Sequence, residues 1–145
     1  MVTPHYLLDT NILSEPLRPH PNPYIIARLS EFQASIATAS PVWHELLFGY
    51  YRLPAGKKQQ AIGQYLNTII KPILPILPYT PAAAQWHAME RARLMSVGLT
   101  PTFVDGQIAA IAYVNNLVVV TINTSDFMDF GGLHVENWAD EPTAS

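Results

Sequence analysis

Short hydrophobic runs that end abruptly in polar residues are the main pattern of this chain. The run 5–8 (HYLL) gives way to the polar segment 9–11 (DTN), and the run 117–120 (LVVV) gives way to 121–123 (TIN). Continuous short apolar runs are typical of parallel strands that are buried on both faces. Ligand sites of open α/β sheets lie at the carboxyl ends of such strands. The pattern therefore predicts one pocket lined by oxygen atoms, where two strands end.

The remaining apolar segments extend this pattern along the chain. Strands are predicted at 5–9, 35–38, 73–77 and 117–121, with a weaker one near 133–136. Helices are predicted at 23–33, 41–52, 56–70, 81–97 and 102–115. Strands that alternate with helices imply right-handed crossovers and a mainly parallel sheet. The predicted fold class is α/β: a single three-layer domain with a mainly parallel sheet of four to five strands, flanked by helices.

Four prolines support the predicted helix starts. Each follows a residue whose side chain can accept a hydrogen bond, in the pairs 22–23, 40–41, 80–81 and 100–101. Such a residue suits the N-cap, and proline suits the first helical position, where its missing N–H costs nothing. Gly98 is predicted to end the helix over 81–97 in a left-handed conformation.

Composition limits the class of protein. The 145 residues fit one domain, predicted over 1–138 with a flexible C-terminal tail over 139–145. With 49% hydrophobic and only 13% charged residues, disorder is not expected. No apolar run is long enough to span a membrane, and the sequence shows no basic-then-apolar pattern, so neither a membrane span nor a signal peptide is expected. The absence of cysteine fits a reducing compartment, so a cytoplasmic location is expected.

Four acids are candidates for the predicted pocket, and each also has an ordinary structural role. Asp9 follows the first strand and can cap the next helix. Glu45 can be a surface residue of its helix, and Asp126 can be a turn residue. Asp105 follows Thr102 by three residues, which is the spacing of a capping box. Taken singly, each structural role outweighs a functional one.

Taken together, the acids favour a metal site. Two strand ends and one helix start bring Asp9, Asp105 and Asp126 to the same end of the sheet. Like charges this close raise one another's pKa unless a cation compensates them. Mg²⁺ accepts a few carboxylates, keeps several waters and takes further oxygens from a substrate phosphate. Such an ion can lower the pKa of a bound water to make the attacking hydroxide. Thr121 and Asn123 are expected to hydrogen-bond that water or the phosphate.

The net charge limits which partners are expected. The net charge of the chain is −3, which argues against strong non-specific binding of a polyanion. Four of its eleven acids are the candidates above, and the other seven face eight bases. If a cation offsets the four, a modest affinity for nucleic acid is allowed.

Four motifs in register resemble the PIN-domain ribonucleases, above all the VapC-type and FitB-like toxins of type II toxin–antitoxin pairs. They are 7–16 (LLDTNILSEP), 43–46 (WHEL), 104–110 (VDGQIAA) and 120–127 (VTINTSDF). The resemblance covers nearly the whole chain. It implies a PIN-like fold and an endoribonuclease that uses Mg²⁺ or Mn²⁺ to cut RNA. It also implies a homodimer, or a higher toxin–antitoxin assembly, held inactive by a cognate antitoxin.

The resemblance also assigns residues. Asp9, Glu45 and Asp105 match the three family acids and are the expected metal ligands, and Thr121 matches the hydroxyl residue beside them. The fourth position stays open between Asn123 and Asp126. At position 122 this chain has Ile where Arg is common in the family, which removes a basic contact to RNA.

Two other functions remain open at this point. A PIN-like binding module without catalysis is compatible with the changes at positions 122 and 123. An aspartyl-phosphate phosphatase also begins with an Asp at the end of its first strand. That chemistry needs a second Asp two residues later, and this chain has Asn11 there.

Overall fold

Five parallel strands form a single sheet in the computed structural model, which describes residues 4–142. The strands are β1 (Tyr6–Leu8), β2 (Ile36–Ala39), β3 (Ile76–Leu77), β4 (Val118–Val120) and β5 (Val135–Glu136). Their order is β3-β2-β1-β4-β5, and every pairing is parallel. The predicted α/β class is confirmed, and the weak strand near 133–136 is the edge strand β5.

Seven helices connect the strands within the described residues. They are α1 (Thr10–Leu13), α2 (Pro23–Glu31), α3 (Ser40–Tyr51), α4 (Lys57–Tyr65), α5 (Lys71–Ile73), α6 (Pro81–Ser96) and α7 (Phe103–Val114). Short 3-10 turns lie at Glu15–Leu17 and Thr124–Asp126, and a π-helical turn over Leu66–Ile70 joins α4 to α5. All five predicted helices are present.

The strand order locates the site. The chain moves outward from β1 through β2 to β3 and then returns to β4 on the other side of β1. Right-handed crossovers in the two directions put helices on opposite faces of the sheet. The order therefore reverses between β1 and β4, and the crevice at the carboxyl ends of those two strands is where open sheets bind ligands.

Burial explains why these segments adopt their structure. Leu7, Leu8, Val119 and Val120 are fully buried in the two central strands. Helix α7 is apolar nearly all round, and its residues from Ile108 to Ala112 are also buried. A helix of this kind belongs in the centre of a domain. Helix α7 packs against α6, and its first turn lies at the crevice.

The helix caps agree with the sequence at some positions and differ at others. Asn22 and Thr80 accept hydrogen bonds from backbone N–H groups of their helices, as predicted. Ser40 does not cap, because the helix already includes it and Ala39 occupies the N-cap position. The last helix begins at Phe103, two residues after Pro101, with Thr102 as the N-cap.

Gly98 ends α6 as expected. Its φ of +83° lies in the left-handed region. The N–H of Gly98 donates to the carbonyl of Met95, and the N–H of Leu99 donates to that of Leu94. These bonds satisfy carbonyls that the end of a helix otherwise leaves without partners.

The strand predicted at 73–77 is too long. Helical backbone continues to Ile73, and only Ile76–Leu77 pairs with β2. Leu66, Ile70 and Leu74 follow one another at intervals of four residues, and all three are buried. This spacing belongs to one face of a helix, and its burial outweighs the β-like run of residues at the end.

The structure describes the first four residues of the predicted C-terminal tail. Ala139, the first residue of the predicted tail, packs against the core. Its N–H donates to Asn137 Oδ1 at 2.8 Å, and its carbonyl accepts from Asn22 Nδ2 at 3.1 Å. Residues 140–142 are exposed, and the last three predicted tail residues lie outside the described residues. Between residues 4 and 142, no helix is both long and apolar enough to cross a membrane.

Candidate active site

Asp9 stands at the point where the strand order reverses. Its N–H donates to the carbonyl of Val120 at 2.9 Å, which fixes the end of β1 against β4. Its carboxylate accepts two hydrogen bonds, from the N–H of Thr10 at 2.8 Å and from the hydroxyl of Thr121 at 2.8 Å. The residue is only 9% exposed. Asp9 therefore caps α1 and also presents a firmly oriented carboxylate.

Thr121 is the centre of the hydrogen-bond network at this crevice. Its side chain is fully buried, and its hydroxyl donates to Asp9 Oδ2. The hydroxyl oxygen of Thr121 also accepts hydrogen bonds from Asn11 Nδ2 at 3.2 Å and from the N–H of Asn123 at 3.1 Å. The single hydroxyl proton is thus committed to Asp9. Thr121 therefore orients the carboxylate of Asp9, and the expectation that it contacts the attacking water or a phosphate stays a prediction.

Two positioning residues of the segment 9–11 were missed by the sequence analysis. Thr10 Oγ1 donates to Glu45 Oε2 at 2.8 Å, which ties helix α3 to the end of β1. The side chain of Asn11 joins Thr121 to the N–H of Ile122, which donates to Asn11 Oδ1 at 3.2 Å. The signal for both was the run of polar residues directly after a buried strand.

Asp105 takes part in the cap of α7 and also lies near the other candidate acids. It lies in the first turn of α7, and its N–H donates to Thr102 Oγ1 at 3.1 Å, as in a capping box. The pKa of Asp105 is raised by burial, and the nearby charges of Asp126, Asp9 and Glu45 raise it further. The hydrogen bond with Thr102 acts in the opposite direction. Asp105 therefore takes part in the cap of its helix and is also close enough to three acids, distant in sequence, for their charges to raise its pKa.

The pKa of Asp9 is also affected by acids of other elements. Burial is the largest cause of its raised pKa, and the charges of Glu45 and Asp126 add to it. Hydrogen bonds from Thr10 and Thr121 partly offset the rise. Acids from the end of β1, from α3, from α7 and from the turn after β4 are therefore close enough to repel one another.

The two candidates for the fourth position contribute differently. The charge of Asp126 raises the pKa of both Asp9 and Asp105, and Asp126 shares a cavity of about 270 Å³ with Asp105. Asn123 takes part in the network through its backbone N–H, and both residues are exposed. Which of the two completes the acid group stays a prediction.

The donor set decides which cation fits. Within residues 4–142, no group of three or more His, Asp or Glu side chains is close enough together to hold a metal ion. The group offers carboxylate oxygens, which are hard ligands that suit Mg²⁺ or Mn²⁺. Mg²⁺ commonly binds through one or two carboxylates while waters and substrate oxygens complete its shell. The acids fit a hydrated ion of this kind and do not fit a closed protein cage.

Comparison with known proteins agrees with this architecture. Residues 6–132 match the family model described as the PIN domain. The chain belongs to the PIN-domain family. It is 36% identical over 124 residues to Toxin FitB of Neisseria gonorrhoeae, covering 83% of this chain and 89% of that protein. It is 28% identical over 134 residues to the tRNA(fMet)-specific endonuclease VapC of Shigella flexneri, covering 92% and 98% respectively.

A solved structure shares the fold. The structure of FitAB bound to an IR36 DNA fragment superposes with a TM-score of 0.88 at 29% identity, covering 97% of this chain and 99% of that one. The similarity therefore extends over the whole PIN domain, including every segment that carries a candidate acid.

Two grooves flank the acids of this PIN domain. The larger, of about 690 Å³, runs past Thr10 and Glu45 and is lined on its far side by Arg18 and Lys58. The other, of about 510 Å³, lies between α3 and the start of α7. Glu45 lines both, so the acid group opens into each groove. The basic residues of the larger groove provide positive charge that Ile122 does not.

A buried acid outside the site holds the loop that follows Asp126. Glu90 of α6 is 5% exposed and accepts hydrogen bonds from the Arg93 guanidinium at 2.8 and 2.9 Å. It also accepts from the N–H of Gly131 at 2.6 Å, and Arg93 donates to the carbonyl of Asp129 at 2.9 Å. The bond with Arg93 is the main cause of a lowered Glu90 pKa.

This arrangement predicts an acid-dependent loss of stability. Because the pKa of Glu90 is lower when folded, its contribution is complete above the ordinary value of 4.5 and is lost as the pH falls through the folded value. We expect Glu90→Gln to cost about 1–3 kcal/mol at neutral pH and much less in acid. Thermal unfolding against pH measures this, with the exposed Glu31→Gln as control. An equal loss at every pH would contradict the expectation.

Proposed function

We propose that this PIN domain is an endoribonuclease that uses Mg²⁺ or Mn²⁺, and that it acts as the toxin of a toxin–antitoxin pair. The observation that carries the proposal is that acids from four separate elements lie at one crevice, where the charges of Glu45 and Asp126 add to the burial that raises the pKa of both Asp9 and Asp105. Relatives named as a toxin and as an RNA-specific endonuclease support the same conclusion.

The proposed metal ligands are Asp9, Glu45 and Asp105, with Asp126 as the fourth acid. When bound, the ion polarises a phosphoryl oxygen and lowers the pKa of a coordinated water. The protein's part is to hold its carboxylates in place: Thr121 orients Asp9, and Thr10 orients Glu45. Repulsion among the acids makes their ionised forms costly, so a cation that relieves it binds favourably.

The proposed partners are RNA, a cognate antitoxin and a second copy of the chain. The relative named Toxin FitB and the similar FitAB structure support an antitoxin partner. Exposed apolar side chains, among them Met89 at 61% and Met128 at 67%, offer surface for protein contacts. We further propose that the chain acts in the cytoplasm, where its RNA substrate is found.

The decisive experiment is cleavage of RNA by the purified protein. We expect cutting in the presence of Mg²⁺ or Mn²⁺, and none when a chelator removes the ion. Sequencing the new ends would identify the preferred RNA. Failure to cut with either ion, together with tight binding of the antitoxin, would contradict catalysis and favour the inert binding module.

The same preparation tests the phosphatase alternative. Covalent phosphate on Asp9 after incubation with a phosphate ester would support it. The structure disfavours that outcome, because Asn11 stands where the second catalytic acid is required and both ends of its amide are engaged, with Thr121 and Ile122.

Neutralising one acid is expected to stabilise the metal-free protein. The folded-state pKa of Asp105 is raised, so its ionisation becomes unfavourable to folding as the pH rises through that value. Asp105→Asn keeps the backbone cap from Thr102 and removes the repelled charge. We expect a gain of about 1 kcal/mol at neutral pH in chelator, or roughly 2–4 °C in Tm.

Two controls sharpen this measurement. The gain should vanish in acid below the ordinary Asp pKa of 3.8, where wild-type Asp105 is protonated as well. Added Mg²⁺ should raise the Tm of the wild type more than that of the variant, because binding to the folded state stabilises it. A variant that is less stable than wild type at neutral pH in chelator would refute the assumed repulsion.

A further inference from the structure

Three exposed side chains form a stacked row on helix α3. His44, Phe48 and Arg52 are spaced four residues apart, which places them on one face of the helix. The rings of His44 and Phe48 are parallel within 15°, with centroids 6.4 Å apart. Arg52 Cζ lies over the Phe48 ring, 5.6 Å from its centroid. Phe48 is 58% exposed. We call this the 44/48/52 row.

The 44/48/52 row continues directly from the acids. His44 and Phe48 line the cavity of about 510 Å³ that also contains Glu45 and extends to Val104. Val104 precedes Asp105, and Glu45 is hydrogen-bonded to Thr10, which follows Asp9. A chain that occupies this cavity therefore contacts both the row and Glu45, one of the four acids.

We propose that the 44/48/52 row is a stacking platform for an unpaired base of the RNA whose phosphodiester lies at the acids. The proposal rests on the proposed ribonuclease function and specifies its substrate as single-stranded at this position. Bases of single-stranded nucleic acid stack on aromatic rings and on Arg guanidinium planes, without regard to sequence. Bases in a duplex have both faces covered by their neighbours and cannot stack in this way.

The chemistry of the row favours RNA over a second protein chain. Two of its three members are polar or cationic, and Arg52 adds positive charge that can attract the phosphates flanking a stacked base. His44 and Phe48 of the row also line the same cavity as Glu45, beside the acids where the phosphodiester of the RNA is proposed to bind.

The test measures stacking directly and without cleavage. The probe is a short single-stranded RNA that carries a fluorescent adenine analogue, whose emission falls when it stacks. Ca²⁺ replaces Mg²⁺ and Mn²⁺ in the buffer, so that a cation offsets the charge of the acids. We expect wild-type protein to bind the probe and quench it. Phe48→Ala should weaken binding roughly ten-fold and abolish the quench. Phe48→Tyr keeps an aromatic face and should retain both.

Tyr51→Ala is the matched control, because Tyr51 is an exposed aromatic residue of the same helix and is not part of the row. It should change neither affinity nor quench. The same probe annealed to its complement should show no quench with wild-type protein. Thermal unfolding of each variant verifies that the fold is intact, which the exposure of both side chains leads us to expect.

Several results would overturn the platform. One is that the Phe48→Ala variant binds and quenches the probe like wild type, or loses no more affinity and quench than the Tyr51→Ala variant. Another is a shift of Phe48→Ala from dimer to monomer in sedimentation with RNA binding unchanged, which would make the row a protein interface. A third is wild-type protein that does not bind the probe.

Failure of the platform and failure of the nuclease can be told apart. If wild-type protein quenches the probe but does not cut RNA when Mg²⁺ or Mn²⁺ is added, the stacking platform stands and the nuclease proposal falls. If it cuts RNA and Phe48→Ala stacks and binds normally, the nuclease stands and the platform falls.

Discussion

Asp9→Asn is expected to reduce metal-dependent RNA cleavage by roughly a thousand-fold. Even loss of a group that only orients a metal ligand typically costs ten- to a hundred-fold in activity, and Asp9 is proposed as a ligand itself. Asparagine retains the shape of the side chain and one acceptor for the N–H of Thr10, so the fold should persist. Initial cleavage rates at saturating Mg²⁺ measure the effect. Cleavage within a few-fold of wild type would exclude Asp9 from the metal site.

Thr121→Val separates the orientation of Asp9 from its charge. The substitution keeps the volume of the buried side chain and removes the hydroxyl that donates to Asp9 Oδ2. We expect a loss of roughly ten- to a hundred-fold in cleavage. Thr38→Val is the matched control, because Thr38 is also a fully buried strand residue, and its hydroxyl donates to the carbonyl of Leu8 at 2.8 Å. It should cost about 1 kcal/mol of stability and leave cleavage intact.

Gly106→Ala is expected to have the largest effect on stability. A Cβ at this position of α7 would lie 2.0 Å from His87 Nε2 and 2.6 Å from His87 Cδ2. His87 is buried, and Tyr79 Oη holds its Nδ1 at 2.8 Å, so the ring cannot easily move away. We expect a loss of about 3 kcal/mol or more, which lowers Tm by roughly 6–12 °C. Displacement of the first turn of α7 would also move Asp105 and reduce cleavage.

Two comparisons check this explanation. Gly49→Ala, where an added Cβ meets no atom within 4 Å, should be neutral or stabilising by about 0.5–1 kcal/mol, as expected for glycine inside a helix. His87→Ala removes the obstructing ring, so the double variant with Gly106→Ala should lose less than the sum of the two single variants. Strict additivity would show that the clash is not the cause.

The sequence predicts the location of the site better than its internal contacts. The abrupt ends of the runs at β1 and β4 predict where Asp9 and Thr121 lie, because parallel strands end on one edge of the sheet. The capping-box spacing of Thr102 and Asp105 predicts the start of α7, and hence the position of Asp105. These inferences depend only on the direction of strands and on helix-start chemistry.

Other features depend on contacts that residue patterns do not contain. The direction of the Thr121 hydroxyl bond is set by which acceptor the folded chain brings to it, and that acceptor is 112 residues away in sequence. Thr10 and Asn11 resemble ordinary capping residues until Glu45 and Ile122 are placed beside them. The short β3 shows the same limit, since burial of Leu74 on a helical face decides against a longer strand.

The measurement that tests the central claim most directly is Mn²⁺ binding, monitored by electron paramagnetic resonance without RNA. If acids from separate elements hold one shared ion site, then Asp9→Asn and Asp105→Asn should each weaken binding strongly. Asp140→Asn, a change at an exposed acid near the C-terminus, should leave binding unchanged. Mn²⁺ affinity that is equal in all four proteins would contradict the account.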